Sequence, residues 1–472
     1  MGLAYQAKRA VDVTRGLGVA RRLAEVERWP RERLERLQRE RVDALVRHAV
    51  ARAPFHRERL GPLVGRETVE LGTLPAMDKA TMMERFDDVV TDRRLRRDAL
   101  LVHVESLDDD ALYLGRHRVM TTSGSSGRKG LFVYDREGWR GICAMFLRHN
   151  AMAGVGPRLP RLRMAMIGGG APTHMSRRGA ATLRSGIHRL LPLSVTMPIP
   201  RIVAALNAFR PDFVYTYPSV ATLLADEQLG GRLRIAPEAV STSSELRTPE
   251  MTERIEAAFG VHPTDLYATT EGLWGSECEL GAGVHVFEDM AVLENVDDDG
   301  RPVPVGAPGA RVLVTNLFNR VQPLVRLEVT DVLTLDPEPC PCGRSLRRIR
   351  AIEGRADDII WLPGAERPVA VHPMQFSVIT ADRDVREFQV VQDGERLRLR
   401  LALRDEATAE RAAGRVRDRV AGRLAAIGAH ASGIEVETCA GVERAAGGKY
   451  RMIVADPAAA PRGESGLRTR AG

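Results

Sequence analysis

Lysine is nearly missing from this chain. Its 472 residues include four, and arginine makes up the rest of the 69 basic residues. Ordinary surface charge is therefore not what keeps a lysine here; a retained one points to a need for a compact ammonium that can approach a phosphate or carboxylate as a point charge. Two of the four, Lys129 and Lys449, lie in glycine-rich segments, TTSGSSGRKG (Thr121 to Gly130) and GGKYR (Gly447 to Arg451). Also missing is any apolar run long enough to span a bilayer. The start MGLAYQ shows neither a secretory h-region nor the Ser/Thr of a myristoylation site. A soluble cytoplasmic protein without membrane partners is expected. Five cysteines do not read as a disulfide framework in that setting. The net charge of +7 does not read as a nucleic-acid footprint either, because the arginines are scattered among 62 acidic residues.

Residues 20 to 50 carry apolar positions at helical spacing among Arg and Glu, which predicts exposed amphipathic helix. Beyond them, apolar runs at Leu162 to Ile167, Phe213 to Tyr217 and Leu266 to Ala268 alternate with helical stretches near 174–186, 198–210, 218–229 and 248–259, the signature of an α/β fold. Short strands and turns dominate 283–350, with GRPVPVGAPG (Gly300 to Gly309) as a Pro/Gly turn region. After Gly354 to Asp358 comes a smaller α+β unit with a helix over roughly 405–427. From Asp456 the composition is that of a disordered tail. There are no internal repeats.

The run from Thr121 to Gly130 combines three glycines, hydroxyl side chains and a basic pair, so backbone N–H groups and hydroxyls can turn toward one anion. It does not fit the Walker A pattern G-x-x-x-x-G-K-[ST], which disfavours a P-loop fold. Taken alone, the same run also fits a surface turn.

In chain order, TTSGSSGRKG is followed by STSSE (Ser241 to Glu245), YATTEG (Tyr267 to Gly272), PLVRLEVTDVL (Pro323 to Leu333), IEGRADDII (Ile352 to Ile360) and GGKYR. This series, over about residues 75–455, resembles the adenylate-forming superfamily of acyl-CoA synthetases, adenylation domains and luciferases, most closely its phenylacetate-CoA ligase-like branch. The resemblance implies a large N-terminal AMP-binding domain over 1–354 with a strand-rich, zinc-bearing region at about 275–350. A small mobile α+β lid domain would cover 355–457, and a disordered tail 458–472. It implies phosphate contacts from Ser123, Gly124, Ser125, Ser126, Gly127 and Lys129, and an adenine turn at Ser243, Ser244 and Glu245. Tyr267 would stack on adenine, Asp331 and Arg355 would hold the ribose, and Asp357 would be the hinge. Thr270 would donate to the α-phosphate, Glu271 would hold Mg²⁺, and Lys449 would bridge the substrate carboxylate and α-phosphate. ATP and CoA, both anionic, suit the positive charge.

Cys143 and Cys439 read as ordinary thiols, but Cys340-Pro-Cys342-Gly is a knuckle that can aim two thiolates at one ion. With Cys278 and His285 they make three cysteines and one histidine, the ligand number of a closed tetrahedral zinc site. C-x-C is tighter than the usual C-x₂-C, and spacing alone leaves the metal open. Some relatives in the resembled branch carry zinc at such an arrangement, and the resemblance favours a structural ion.

Tyr215, Tyr217, Pro218, Ser219 and Trp274, with Gly168 to Gly170 allowing close approach, are candidates for an acid pocket suited to a flat aryl acid; the same residues also fit a core. Arg128, the Ser243-Ser244-Glu245 turn and Ala268 depart from the wider family pattern, and the identity of the acid stays open. The expected activity is ATP-dependent aryl- or acyl-CoA ligation. A carrier protein, an amine or another nitrogen nucleophile is the alternative acceptor, and a catalytically silent nucleotide-binding protein the alternative class. Oligomeric state is not readable, with a homodimer one option.

Overall fold

The computed structural model describes residues 22–65, 67–107, 110–122, 130–156, 158–169, 173–183, 188–382, 384–442, 444 and 449–459. The expected phosphate-loop residues Ser123, Gly124, Ser125, Ser126, Gly127 and Lys129, together with Gly170 and the tail beyond Ala459, lie outside the described residues.

Near the N-terminus, the helix Arg31–Arg52 buries Leu34, Gln38, Val42, Leu45, Val46 and Ala49, one stripe at helical spacing, and leaves its charged residues outside. The centre of the molecule is a nine-stranded sheet. Its parallel half runs, in spatial order, Thr264–Ala268, Ala239–Ser243, Phe213–Thr216, Arg163–Gly168 and Arg189–Ser194. The helices Met175–Leu183, Ile199–Phe209, Pro218–Leu229 and Pro249–Phe259 connect these strands, as parallel pairing demands. Local signals fix their ends: Thr248 accepts the N–H of Met251, Pro249 opens the last helix, and Gly260 closes it in the left-handed region.

Past Thr264–Ala268 the sheet turns antiparallel, through Trp274–Glu277, Val284–Val286, Arg348–Arg355 and Asp331–Leu335. A separate antiparallel sheet of Ala291–Val296, Arg311–Asn316 and Leu327–Val329 completes the strand-rich region.

The helix Arg136–Met152 is absent from the sequence-based expectation. It is buried on nearly every face, from Gly138 through Asn150, so it shows no polar stripe for a periodicity argument to find.

The small C-terminal unit has its own core. Strands Gly433–Cys439, Arg396–Leu403, Val385–Asp393 and Ile453–Val454 form a four-stranded sheet, against which the helix Ala409–Ala426 packs Ala412, Val416, Val420 and Leu424. That helix starts four residues later than expected from 405, because Asp405 accepts the N–H of Ala407 and caps a separate turn, Glu406–Thr408. Between the units, Arg355 is still in its strand and the turn Ala356–Asp358 follows, pinned by Ala356 N donating to Thr330 O at 2.7 Å. No helix among the described residues is long and apolar enough to cross a membrane.

Candidate active site

The antiparallel strands Arg118–Thr121 and Leu131–Tyr134 bracket the 123–129 segment, and Gly130 N donates to Thr122 Oγ1 at 2.9 Å across its base. Facing this hairpin, the turn between Thr264–Ala268 and Trp274–Glu277 carries Thr270 and Glu271. Its backbone is fixed twice: Tyr134 Oη donates to Thr270 O at 2.8 Å, and Asn316 Nδ2 donates to Glu271 O at 2.9 Å. Gly272 has φ +100°, and a Cβ there would fall 2.1 Å from Asn316 Nδ2, so only glycine fits. Glu271 is buried, with Lys79 Nζ 2.9 Å from its Oε1. Burial pushes this carboxyl up, but the charges of Lys79 and Arg355 override it and hold it below the usual range.

Asp331 opens its strand directly opposite Arg355. Arg355 Nε donates to Asp331 Oδ1 at 3.3 Å, and Tyr267 Oη donates to Asp331 Oδ2 at 2.5 Å. Tyr267, Asp331 and Arg355, drawn from three separate sequence motifs, are thus one bonded group. Thr330 Oγ1 donates to Asp357 Oδ2 at 3.3 Å at the start of the turn into the small unit.

Lys449 arrives from the small unit. Burial and the nearby Arg355 push its ammonium down to about 8, against the opposing pull of Glu245, Asp331 and Glu271. The next residue anchors the segment: Tyr450 N donates to Glu245 Oε1 at 2.6 Å, while Ser219 N donates to Glu245 Oε2 at 3.2 Å. Ser243 is buried, Ser244 takes φ +73°, and Glu245 directs its carboxylate to this seam between the two units. Arg444 Nη1 donates to Ser219 Oγ at 3.1 Å along the same seam.

A cavity of about 200 Å³ sits at the carboxyl ends of the parallel strands, bounded by Gly168, Gly169, Tyr215, Ser194 and Arg177 among others. Of the expected pocket residues, Tyr215, Gly168 and Gly169 line it. Tyr217 stands behind, its hydroxyl accepting the N–H of Gly169 at 3.0 Å. Trp274 packs edge-on against Phe146 and donates through Nε1 to Thr269 O, and Pro218 and Ser219 open the helix above Glu245. Lys79, His174 and Arg177 escape sequence reasoning. His174 has its pKa lowered by burial and by the charge of Lys449. The scarcity of lysine is the one signal that points to Lys79.

In the antiparallel half of the sheet, the ligand atoms of Cys278, His285, Cys340 and Cys342 all lie within 4.8 Å of one another. Cys278 Sγ and Cys340 Sγ are 3.8 Å apart, far beyond a disulfide, and Cys342 Sγ is 3.4 Å from His285 Nε2. Tetrahedral bonds of about 2.3 Å to sulfur and about 2.0–2.1 Å to nitrogen give edges of about 3.8 and 3.5 Å, so the cluster fits a closed zinc site. His285 Nδ1 lies 3.2 Å from Leu346 O, a contact that leaves Nε2 free to face the thiols.

No family model matches the chain. The sequence is 27% identical over 373 residues to a phenylacetate-coenzyme A ligase of Thermus thermophilus, spanning 75% of this chain and 77% of that one. It is 30% identical over 172 residues to a phenylacetate-coenzyme A ligase of Aromatoleum evansii, spanning 34% and 38%. In fold the chain is similar to 2-hydroxyisobutyryl-CoA ligase in the postadenylation state in complex with R3-HIB-AMP, with a TM-score of 0.74, 21% identity and 92% of each chain covered.

Proposed function

We propose, for a chain that belongs to the phenylacetate-CoA ligase-like branch of the adenylate-forming superfamily, ATP-dependent activation of a carboxylic acid as its acyl-adenylate and transfer of the acyl group to the thiol of CoA. The observation that carries the reading is the meeting of Lys449, from the small unit, with the charges of Arg355, Asp331 and Glu271 of the large one.

In the first step a carboxylate oxygen attacks the α-phosphorus of ATP, the bond to the bridging oxygen of the β-phosphate breaks, and pyrophosphate leaves. Negative charge accumulates on the α-phosphate oxygens, where a pre-placed ammonium at Lys449 is worth more than in water. The Asp331 carboxylate, oriented by Tyr267 and Arg355, is suited to accept the ribose hydroxyls, and Glu245 holds the segment beside the lysine. In the second step the CoA thiol sulfur attacks the acyl carbon, its proton passes to solvent, and the bond to the AMP oxygen breaks. Mg²⁺ bound with ATP neutralises phosphate charge, and the buried, ionised carboxylate of Glu271 is a fitting oxygen ligand for it.

The acid is aryl or another compact acid, given a cavity of about 200 Å³ with the ring of Tyr215 in its wall. Cys278, His285, Cys340 and Cys342 hold one structural Zn²⁺ that pins the strand-rich region, a role consistent with its tie to the N-terminal segment through Arg28 Nη1 donating to Cys342 O at 3.1 Å. The protein works in the cytoplasm.

The test is incubation with ATP and a panel of acids, with pyrophosphate release measured before and after adding CoA. Release that depends on the acid, followed by a CoA adduct, is expected. Adenylate without any CoA adduct would pass the role of acceptor to an amine or carrier protein, and no acid-dependent release would end the reading.

A further inference from the structure

The strand order of the parallel half reverses beside Arg163–Gly168, whose neighbours are Arg189–Ser194 on one side and Phe213–Thr216 on the other. Ligands of open α/β sheets bind at the carboxyl ends of the strands at such a reversal, and the cavity lies there. Its walls are mostly apolar, with Met166, Ala180, Pro192, Leu193 and the ring of Tyr215. Among the described residues one charged group lines it: Arg177, from the helix Met175–Leu183.

Among the described residues, several buried arginines meet a carboxylate. Arg148 meets Glu27 and Asp289, Arg247 meets Glu277, and Arg178, the very next residue, donates to Asp110 at 2.9 Å. Arg148 and Arg178 each also keep one buried nitrogen without an acceptor, as Arg177 does at Nε, but those two are paired with carboxylates, and among the described residues no carboxylate pairs with Arg177. An anion in the cavity would supply the acceptor that this guanidinium lacks. The direction is also defined. His174 and Arg177 stand three residues apart, on one side of the helix start, and His174 faces the charge of Lys449. The start of this helix thus adjoins both Lys449 and the cavity.

We propose that the acid activated by this enzyme carries a second anionic group, in the simplest case a second carboxylate, which pairs with Arg177 inside the cavity while the first carboxylate reaches Lys449. The guanidinium fork matches a carboxylate in two hydrogen bonds, and the apolar walls hold a single ring or short chain between the two ends. An acid lacking the second group leaves the guanidinium facing carbon, which is how a pocket built on a hydrogen bond rejects its analogue. The inference rests on the acid-activation reading above.

The experiment compares matched acids, benzoate with isophthalate and pentanoate with glutarate, by ATP–pyrophosphate exchange in the full chain, Arg177→Met and Arg177→Lys. Thermal shift with each acid in the absence of ATP runs alongside. In the wild type the diacid is favoured in kcat/KM by about tenfold or more. That ratio collapses in Arg177→Met, survives weakened in Arg177→Lys, and the diacid raises Tm only where a cation is present at 177. Because each ratio is taken within one variant, loss of folded protein cancels. A wild type that prefers the monoacid, or a ratio unchanged in Arg177→Met, overturns the proposal. So does a raised KM for CoA with that ratio intact, which would give Arg177 to the phosphates of CoA. Absence of exchange with every acid would overturn the activation reading, and the thermal shift would still decide Arg177.

Discussion

Lys79 Nζ stands 2.9 Å from Glu271 Oε1, joining the first residue of the short helix Lys79–Glu84 to the turn after Thr264–Ala268. The Glu271 side chain is 5% exposed and that of Lys79 33%, so the pair meets water from the lysine's side. Glu271 is held ionised while Lys79 keeps room to swing. A cation bound with ATP would meet a carboxylate already charged and an ammonium free to turn to the phosphates.

Removing that ammonium tests the arrangement. In Lys79→Met, burial acts on Glu271 with one opposing charge fewer, so its pKa rises from a depressed value. The ionised form is then lost at higher pH. The acid limb of the pH profile for adenylate formation should move upward, and the rate near neutrality should fall by about ten- to a hundredfold, the equivalent of one charged hydrogen bond. Any stability that the depressed pKa contributes is present above the unfolded pKa and lost as pH falls through the folded one, so the variant should lose most Tm near neutral pH and least in acid. Superimposable pH profiles for the two proteins would show that Lys79 has no hold on Glu271.

Lys449 gives a second pH signature of opposite sign. Its ammonium, pushed down to about 8, is protonated below that pH and neutral above it. The kcat/KM for adenylate formation should therefore decline as pH rises through about 8, since this parameter reports the free enzyme. Lys449→Ala should abolish adenylate formation with nucleotide affinity and folding nearly unchanged, because the lost interaction belongs to the transition state. Glu245→Ala removes the acceptor that anchors Tyr450 N beside the lysine and should slow the same step while sparing thioester formation from supplied adenylate. Pyrophosphate exchange at wild-type speed in Lys449→Ala would contradict the assignment.

The parallel half of the fold is legible in the sequence because its strands are short apolar runs between amphipathic helices with caps such as Thr248 and Gly260. The site is legible where local chemistry marks it: Glu271, Asp331, Arg355 and Lys449 each sit in a motif, and Cys340 and Cys342 in a knuckle. Pairing across the fold carries no local mark. Lys79 follows an ordinary helix cap, Asp78, and only the tertiary structure brings it to Glu271. Glu245 reads as part of an adenine turn, yet its carboxylate serves the seam between the units, since its partner Tyr450 belongs to a segment docked from the far end of the chain. Arg177 is one arginine among many, and what sets it apart is its place in the cavity wall without a carboxylate partner among the described residues, which a sequence cannot display.

For the cysteine cluster, purified protein should contain about one zinc per chain, and Cys340→Ser should lose both the metal and thermal stability, because binding energy of such a site is folding energy. Chelator treatment of the wild type should reproduce the loss of Tm. The effect should be structural: Cys278 and His285 tie together the neighbouring strands Trp274–Glu277 and Val284–Val286, the first of which pairs directly with the strand of Tyr267. Metal analysis showing no zinc in protein prepared without chelators would refute the cluster.

The hinge prediction separates the two half-reactions. Asp357 lies in the turn Ala356–Asp358, a 3₁₀ conformation whose φ of about −50 to −70° is the range a proline ring enforces. Asp357→Pro should therefore be accepted in the arrangement that brings Lys449 to the site, apart from the loss of the Thr330 hydrogen bond and some strain at Ala356, which precedes the ring. Any rotation of the small unit that swings φ at 357 out of this range is then blocked. The variant should still release pyrophosphate with acid and ATP, while transfer from the bound adenylate to CoA slows by about tenfold or more. Quenched single-turnover measurements of adenylate and thioester follow the two steps independently. Equal loss of both would mean that residue 357 is not where the chain turns.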